Sequence, residues 1–227
     1  MGPLIIGAAY FVYAAFWIRF FTHFLLWWRA ARRLEGPRSS AGRPSAKACA
    51  QTAVDVALFG RLMKVNPVLW LGEWVFHASL LLVLLRHLRF FLEPVPEWVW
   101  SVQTPGLIAG YVLPFSLVYI LVIRLLTKRE KYAAPANVFL LGLVLIISTL
   151  GVVMSAWFTP AMDVKMFVLG ILCLKPAALP DDGLFLAHFC LVLVLIPFLP
   201  THIFTAPFVM MEARRREQAL RLVMHEK

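Results

Sequence analysis

The sequence predicts an all-α membrane protein: a bundle of five transmembrane helices with its N-terminus outside and its C-terminus in the cytoplasm. Three observations predict it. Of 227 residues, 61% are hydrophobic and 15% charged, whereas a soluble domain carries roughly a quarter of its residues charged. Apolar runs of about 20 residues, enough to cross a hydrocarbon core of about 30 Å, recur along the chain. The net charge of +10 is concentrated just outside those runs, where cytoplasmic boundaries carry lysine and arginine. That placement points to anionic lipid headgroups and excludes nucleic acid as the partner. The whole chain, 1–227, reads as one membrane domain with a cytoplasmic loop at 29–66 and a cytoplasmic tail at 210–227.

Helix I runs from about Leu4 to Trp28 and ends in Trp27, Trp28, Arg29, Arg32 and Arg33, aromatics then arginines, as at a cytoplasmic boundary. It reads as a retained helix, because the apolar run is too long for a removable signal peptide and no basic segment precedes it. Glu35 to Lys47 holds Gly36, Pro37, Ser39, Ser40, Gly42 and Pro44 and reads as a loop. Residues 48–64 form a short surface helix, with Val54, Leu58 and Leu62 on one side and Asp55, Arg61 and Lys64 elsewhere.

Helix II starts after Pro67 and runs to about Leu92, where Glu93, Pro94, Pro96 and Glu97 break it. Helix III spans about Gly106 to Leu126, with Pro114 as an expected kink, and ends at Lys128, Arg129 and Lys131. Helix IV spans about Ala136 to Phe158, and a short interfacial piece follows at Met166 to Leu174. Helix V spans about Gly183 to Val209 and contains Pro197, Pro200 and Pro207. Five spans place the basic loop I–II, the end of helix III and the arginine-rich tail on one side. Glu93, Glu97, Asp163, Asp181 and Asp182 fall on the other, which fixes the orientation.

The three cysteines, Cys49, Cys173 and Cys190, form no Cys-x-x-Cys and no Cys-x-x-Cys-His. The chain therefore offers no iron–sulfur, zinc or covalent c-type haem motif. Its chemistry rests on histidine. His225 sits in the charged tail and reads as solvated; His23, His77, His87, His188 and His202 lie inside apolar runs, where ionisable residues are costly and tend to be functional. A single membrane histidine is equally well explained by a hydrogen bond to a neighbouring helix, but four in two pairs are not.

His77 and His87 are ten residues apart on helix II, and His188 and His202 fourteen apart on helix V. These are rises of roughly 15 and 21 Å, with the side chains of each pair turned about 80° and 40° apart, so both pairs can face one interior. Helices II and V run antiparallel. His87 and His188 then share the outer depth, His77 and His202 the inner. Imidazoles on both faces of a haem give a low-spin iron suited to electron transfer. A bundle metal site or a proton relay would want carboxylates, and apart from Glu73 the spans offer almost none; pairing by depth gives a small channel no special support.

The stretch Trp74-Val-Phe-His77 … Leu-Leu-Arg-His87-Leu-Arg89 resembles helix II of the cytochrome b (gamma) subunit of respiratory nitrate reductase. That NarI-like family also takes in the DsrM-type membrane cytochrome of the sulfite-reductase-associated complex and the cytochrome of membrane-bound heterodisulfide reductase. The resemblance covers nearly the whole chain. Phe91-Leu-Glu-Pro94-Val-Pro96 and Val164-Lys165 … Leu169-Gly170 look more like the DsrM-type branch. The fourteen-residue spacing on helix V is shorter than in the nitrate reductase subunit, and Pro197 and Pro200 precede His202, so His202 is the ligand the resemblance supports least.

The resemblance implies a membrane electron-transfer subunit of a bacterial or archaeal respiratory oxidoreductase, in the cytoplasmic membrane. It would carry two haems b, one held by His87 and His188 and one by His77 and His202. It would exchange electrons between menaquinone or ubiquinone and a cytoplasmic iron–sulfur or other redox subunit, with further periplasmic or membrane subunits as possible neighbours. The competing expectation is a haem-free anchor or a small transporter subunit, although no internal repeat of the transporter kind is present.

Arg86 and Arg89 flank His87. They read either as partners of haem propionates or of a quinone headgroup, or as side chains snorkelling to the interface. Arg19 and His23, four apart on helix I, share a face and read as support for such a group or as a structural bond. Glu73, one turn before His77, reads as part of proton uptake, as support for His77, or as a docking contact. The 18 phenylalanines are explained by lipid-facing and packing roles.

Overall fold

A computed structural model describes residues 2–33, 46–127, 135–157 and 161–200, and every regular element among them is helical. The order is α1 (Gly2–Arg33), α2 (Ala46–Leu58), α3 (Gly60–Val65), α4 (Pro67–His87), α5 (Glu97–Ser101), α6 (Gln103–Leu126), α7 (Pro135–Ala156), α8 (Ala161–Leu172) and α9 (Gly183–Leu195). Short 3₁₀ turns follow α4 at Leu88–Phe90 and α9 at Ile196–Phe198. Four helices are long and apolar enough to cross a membrane: Gly2–Arg29, Pro67–Phe90, Gln103–Leu126 and Ala136–Ala156. The fifth expected span is described only over Gly183–Phe198, which is shorter. Its α-helix gives way at Leu195 to the 3₁₀ turn around Pro197, which removes a backbone donor, and helical backbone resumes at Leu199 and Pro200. The rest of that span, with His202 and the tail, lies outside the described residues, as does the basic segment after helix III.

The chain divides into two units. One holds Met1–Val12 and Asn66–Leu195; the other holds Tyr13–Val65 and Ile196–Lys227. In the first, the helices pack in series, α4 on α6, α6 on α7 and α7 on α9. Outer faces are apolar and exposed, as at Ile108, Phe115 and Ile146, which suits lipid. The hydroxyls of Ser116, Ser148, Thr149 and Thr127 donate to carbonyls three or four residues back. In hydrocarbon there is no water to satisfy them, so the helix does.

α4 begins where expected. Pro67 occupies the first turn, and the Asn66 side chain accepts the Leu69 N–H at 3.0 Å, closing a donor that an open helix end leaves orphaned. Asp182 does the same for α9, accepting from Leu184 and Phe185. The α4–α6 contact depends on one glycine from each helix. A Cβ on Gly72 would lie 2.6 Å from the Tyr119 ring, and one on Gly106 would lie 2.9 Å from the Leu82 carbonyl and 2.7 Å from Arg86 Cβ. Small residues let membrane helices approach this closely.

The interfacial piece expected at 166–174 is α8, which begins earlier, at Ala161. Val164 and the fully buried Phe167 meet Phe185 of α9 in the core of this end, with Phe90 and Phe189 around them. Lys165 of α8 pairs with Glu93 in the turn after α4, and Tyr10 of α1 donates to the Ile171 carbonyl. α8 closes with Leu174 at φ 56°, with Lys175 N–H bonded to Gly170 O and Leu174 N–H to Ile171 O, a Schellman cap with leucine where glycine is usual.

One local expectation was too simple. The surface helix at 48–64 is broken, with Phe59 at φ 50° separating α2 from α3. The segment after helix II, where Glu93, Pro94, Pro96 and Glu97 were expected to break the helix, holds the short helix α5.

Candidate functional site

α4 presents His77 and His87 by one device. Each ring donates from Nδ1 to the carbonyl four residues back, His77 to Glu73 and His87 to Val83, both at 2.7 Å. A carbonyl can only accept, so Nδ1 carries the proton and a neutral ring keeps its lone pair on Nε2. That is the tautomer in which histidine ligates a metal through Nε2 while Nδ1–H is held from behind.

Around His87 the surroundings are cationic. Arg86 packs its stem against Gly106 of α6, and Tyr111 of α6 lies within electrostatic range of it. Arg89 Nη1 donates to Gln103 Oε1 at 3.0 Å and its guanidinium lies 4.6 Å from the Phe90 ring centroid. Gln103 Nε2 in turn donates to the Arg86 and Val99 carbonyls. The buried Nε of Arg86 and of Arg89 has no hydrogen-bond partner among the described residues. Two arginines with only neutral partners fit a cofactor that brings carboxylates.

His188 of α9 packs on α7, where a Cβ at Gly151 would lie 3.5 Å from the imidazole Cε1. The Ile147 carbonyl is near the ring, and the buried Nδ1 has no hydrogen-bond partner of good geometry among the described residues. His188 and His87 are close enough for their charges to interact, while α4 and α9 lack the packing that joins α4 to α6 and α7 to α9.

At the other end of α4, Arg124 of α6 donates to Glu73 Oε1 at 2.6 Å. Glu73 Oε2 lies 4.0 Å from His77 Nδ1. Tyr119 donates to the Val68 carbonyl at 3.0 Å and ties the same helix ends together. His202, the expected partner of His77, lies outside the described residues. Among those described, no three His, Cys, Asp or Glu side chains gather into a metal-binding group.

Sequence reasoning missed Gln103, Arg124 and Tyr111. Arg124 was hidden among the boundary cations of helix III, and the only sign of its role was the acid, Glu73, at matching depth on the antiparallel helix. Gln103 could have been flagged as a polar residue opening an apolar run. Tyr111 carried no signal.

The chain is similar to the Hdr-like menaquinol oxidoreductase cytochrome b-like subunit of Archaeoglobus profundus. They are 27% identical over an alignment of 240 residues that covers 84% of this chain and 71% of that relative. It is also similar to the subunit of the same description from Archaeoglobus fulgidus, 31% identical over 58% of this chain and 45%, less than half, of that relative. No family model and no solved structure matches it. With four spanning helices and such relatives, the chain is a multi-pass membrane protein.

Proposed function

We propose that this chain is a dihaem b-type cytochrome, the membrane subunit that passes electrons between menaquinol and the redox subunits of a respiratory complex. The observation that carries it is the pair of imidazoles ten residues apart on α4, with His188 of α9 within electrostatic range of His87. The Nδ1-to-carbonyl bonds of His87 and His77 support it, and the names of both relatives supply the quinol class and the cytochrome likeness.

His87 and His188 would hold the outer haem, and His77 and His202 the inner one. When bound, haem supplies one-electron transfer. The chain's residues supply the rest. Val83 and Glu73 carbonyls fix the α4 imidazoles in the ligating tautomer. Arg86 and Arg89 would pair with propionates, or with the quinone headgroup, in the cationic end of α4. Phe167, Phe185 and Phe189, stacked edge to face and side by side, form an apolar cluster on the first turns of α9, the helix that carries His188. The basic loop I–II and tail would face a cytoplasmic iron–sulfur or other redox subunit.

The test is a reduced-minus-oxidised spectrum with a pyridine haemochrome assay on the purified full chain. Two haems b per polypeptide are expected. A folded chain expressed with ample haem that binds none is instead an anchor or a transporter subunit.

A further inference from the structure

The ion pair at the Pro67 end of α4 is not needed to ligate anything, yet it is aimed at His77. Glu73 is 13% exposed and Arg124 23%, so both are largely withdrawn from solvent. Each Glu73 oxygen has its own neighbour: Oε1 is taken by Arg124 at 2.6 Å and Oε2 lies 4.0 Å from His77 Nδ1. That separation is too long for a hydrogen bond, so the side chain acts on the ring by charge. The main chain of the same residue accepts the Nδ1 proton at 2.7 Å. Backbone and carboxylate of Glu73 therefore flank a single imidazole N–H. His87 has the same backbone bond, to Val83, but arginines in place of the acid.

We infer that Glu73, held in place by Arg124, is a positioning residue for His77 whose carboxylate lowers the reduction potential of the iron that His77 would hold. The inference rests on the dihaem reading above. Negative charge beside the Nδ1–H makes the imidazole more basic, and a more basic ligand favours ferric iron. Reduction adds an electron, and a nearby carboxylate opposes it in a poorly screened site. Arg124 fixes the rotamer and partly offsets the charge. Removing Glu73 and removing Arg124 should thus move the potential in opposite directions, a signature that simple joining of α4 to α6 does not produce.

The experiment is an optical redox titration of the full chain and of Glu73→Gln, Glu73→Asp and Arg124→Gln, with haem per polypeptide measured for each. A His77→Leu chain identifies the spectral component of the inner haem. In Glu73→Gln the inner haem should be easier to reduce, its reduced-to-oxidised ratio at fixed potential rising roughly tenfold, about 59 mV for a one-electron couple. The outer haem should not move. Glu73→Asp, which keeps the charge, should stay near the starting value, and Arg124→Gln should shift downward. An inner haem present and unshifted in Glu73→Gln overturns the inference while leaving the dihaem reading intact, as does a shift of the same sign in Glu73→Gln and Arg124→Gln. If Glu73→Gln loses the inner haem, retention in Glu73→Asp supports the role of charge and loss in both overturns it. Absence of haem from the unsubstituted chain defeats the dihaem reading instead.

Discussion

The two ends of α4 carry the same local device in opposite surroundings. His77 and His87 each give Nδ1–H to the carbonyl four residues back, at the same 2.7 Å. At the His87 end, Arg89 meets Gln103 and the Phe90 ring, Arg86 lies near Tyr111, no acid pairs with either among the described residues, and the local charge is positive. At the His77 end, Arg124 meets Glu73, and the pair is neutral with its acid turned toward the ring. The difference teaches that helix geometry sets how a histidine is presented, whereas neighbouring helices set the field it works in. One end is left ready for an anionic group; the other has its charge already balanced.

Substitutions can break the comparison one feature at a time. The largest effect belongs to the ligands. His87→Leu or His188→Leu should halve the haem per polypeptide and remove one spectral component, checked by pyridine haemochrome assay. Next comes the ion pair. Arg124→Leu strands Glu73 in a mostly buried place and should cost about 2 kcal/mol of stability, below the range for a fully buried pair, measured by thermal unfolding in detergent. Glu73→Leu, Arg124→Leu together should recover much of that loss, because no charge is left unpaired.

Close approach of the helices is a third target. Gly106→Ala would place a Cβ 2.9 Å from a backbone oxygen of α4, which must shift because backbone cannot turn aside. The expected cost is about 1–3 kcal/mol, together with a change in the outer haem spectrum as Arg86 is displaced. Gly142→Ala, where a Cβ meets nothing within 4 Å, should leave both unchanged. The smallest effect belongs to Gln103→Leu. It removes the acceptor of Arg89 and should cost about 1 kcal/mol with haem content unchanged.

Much of this was legible in the sequence, for identifiable reasons. Membrane character follows from composition, and the start of α4 from Pro67, because those signals are local. The ten-residue spacing of His77 and His87 is likewise a property of one helix. The field around each histidine was not legible, since Gln103 and Arg124 act across helices and their spacing from α4 in the chain says nothing of contact. Pro114 lies inside α6, as expected, and the α-helix runs on through it from Gln103 to Leu126. The fifth span is described only as far as Pro200: a 3₁₀ turn at Ile196–Phe198 interrupts it around Pro197, and helix resumes at Leu199.

The central claim, two haems b held between α4 and the fifth helix, is tested most directly by haem stoichiometry on the purified chain, read as a pyridine haemochrome alongside a stepwise redox titration. Two haems b per polypeptide titrating as two components, one lost in His77→Leu and the other in His87→Leu, is the predicted result. A folded, haem-supplied chain without haem, or one whose haem is unaffected by both substitutions, would contradict it.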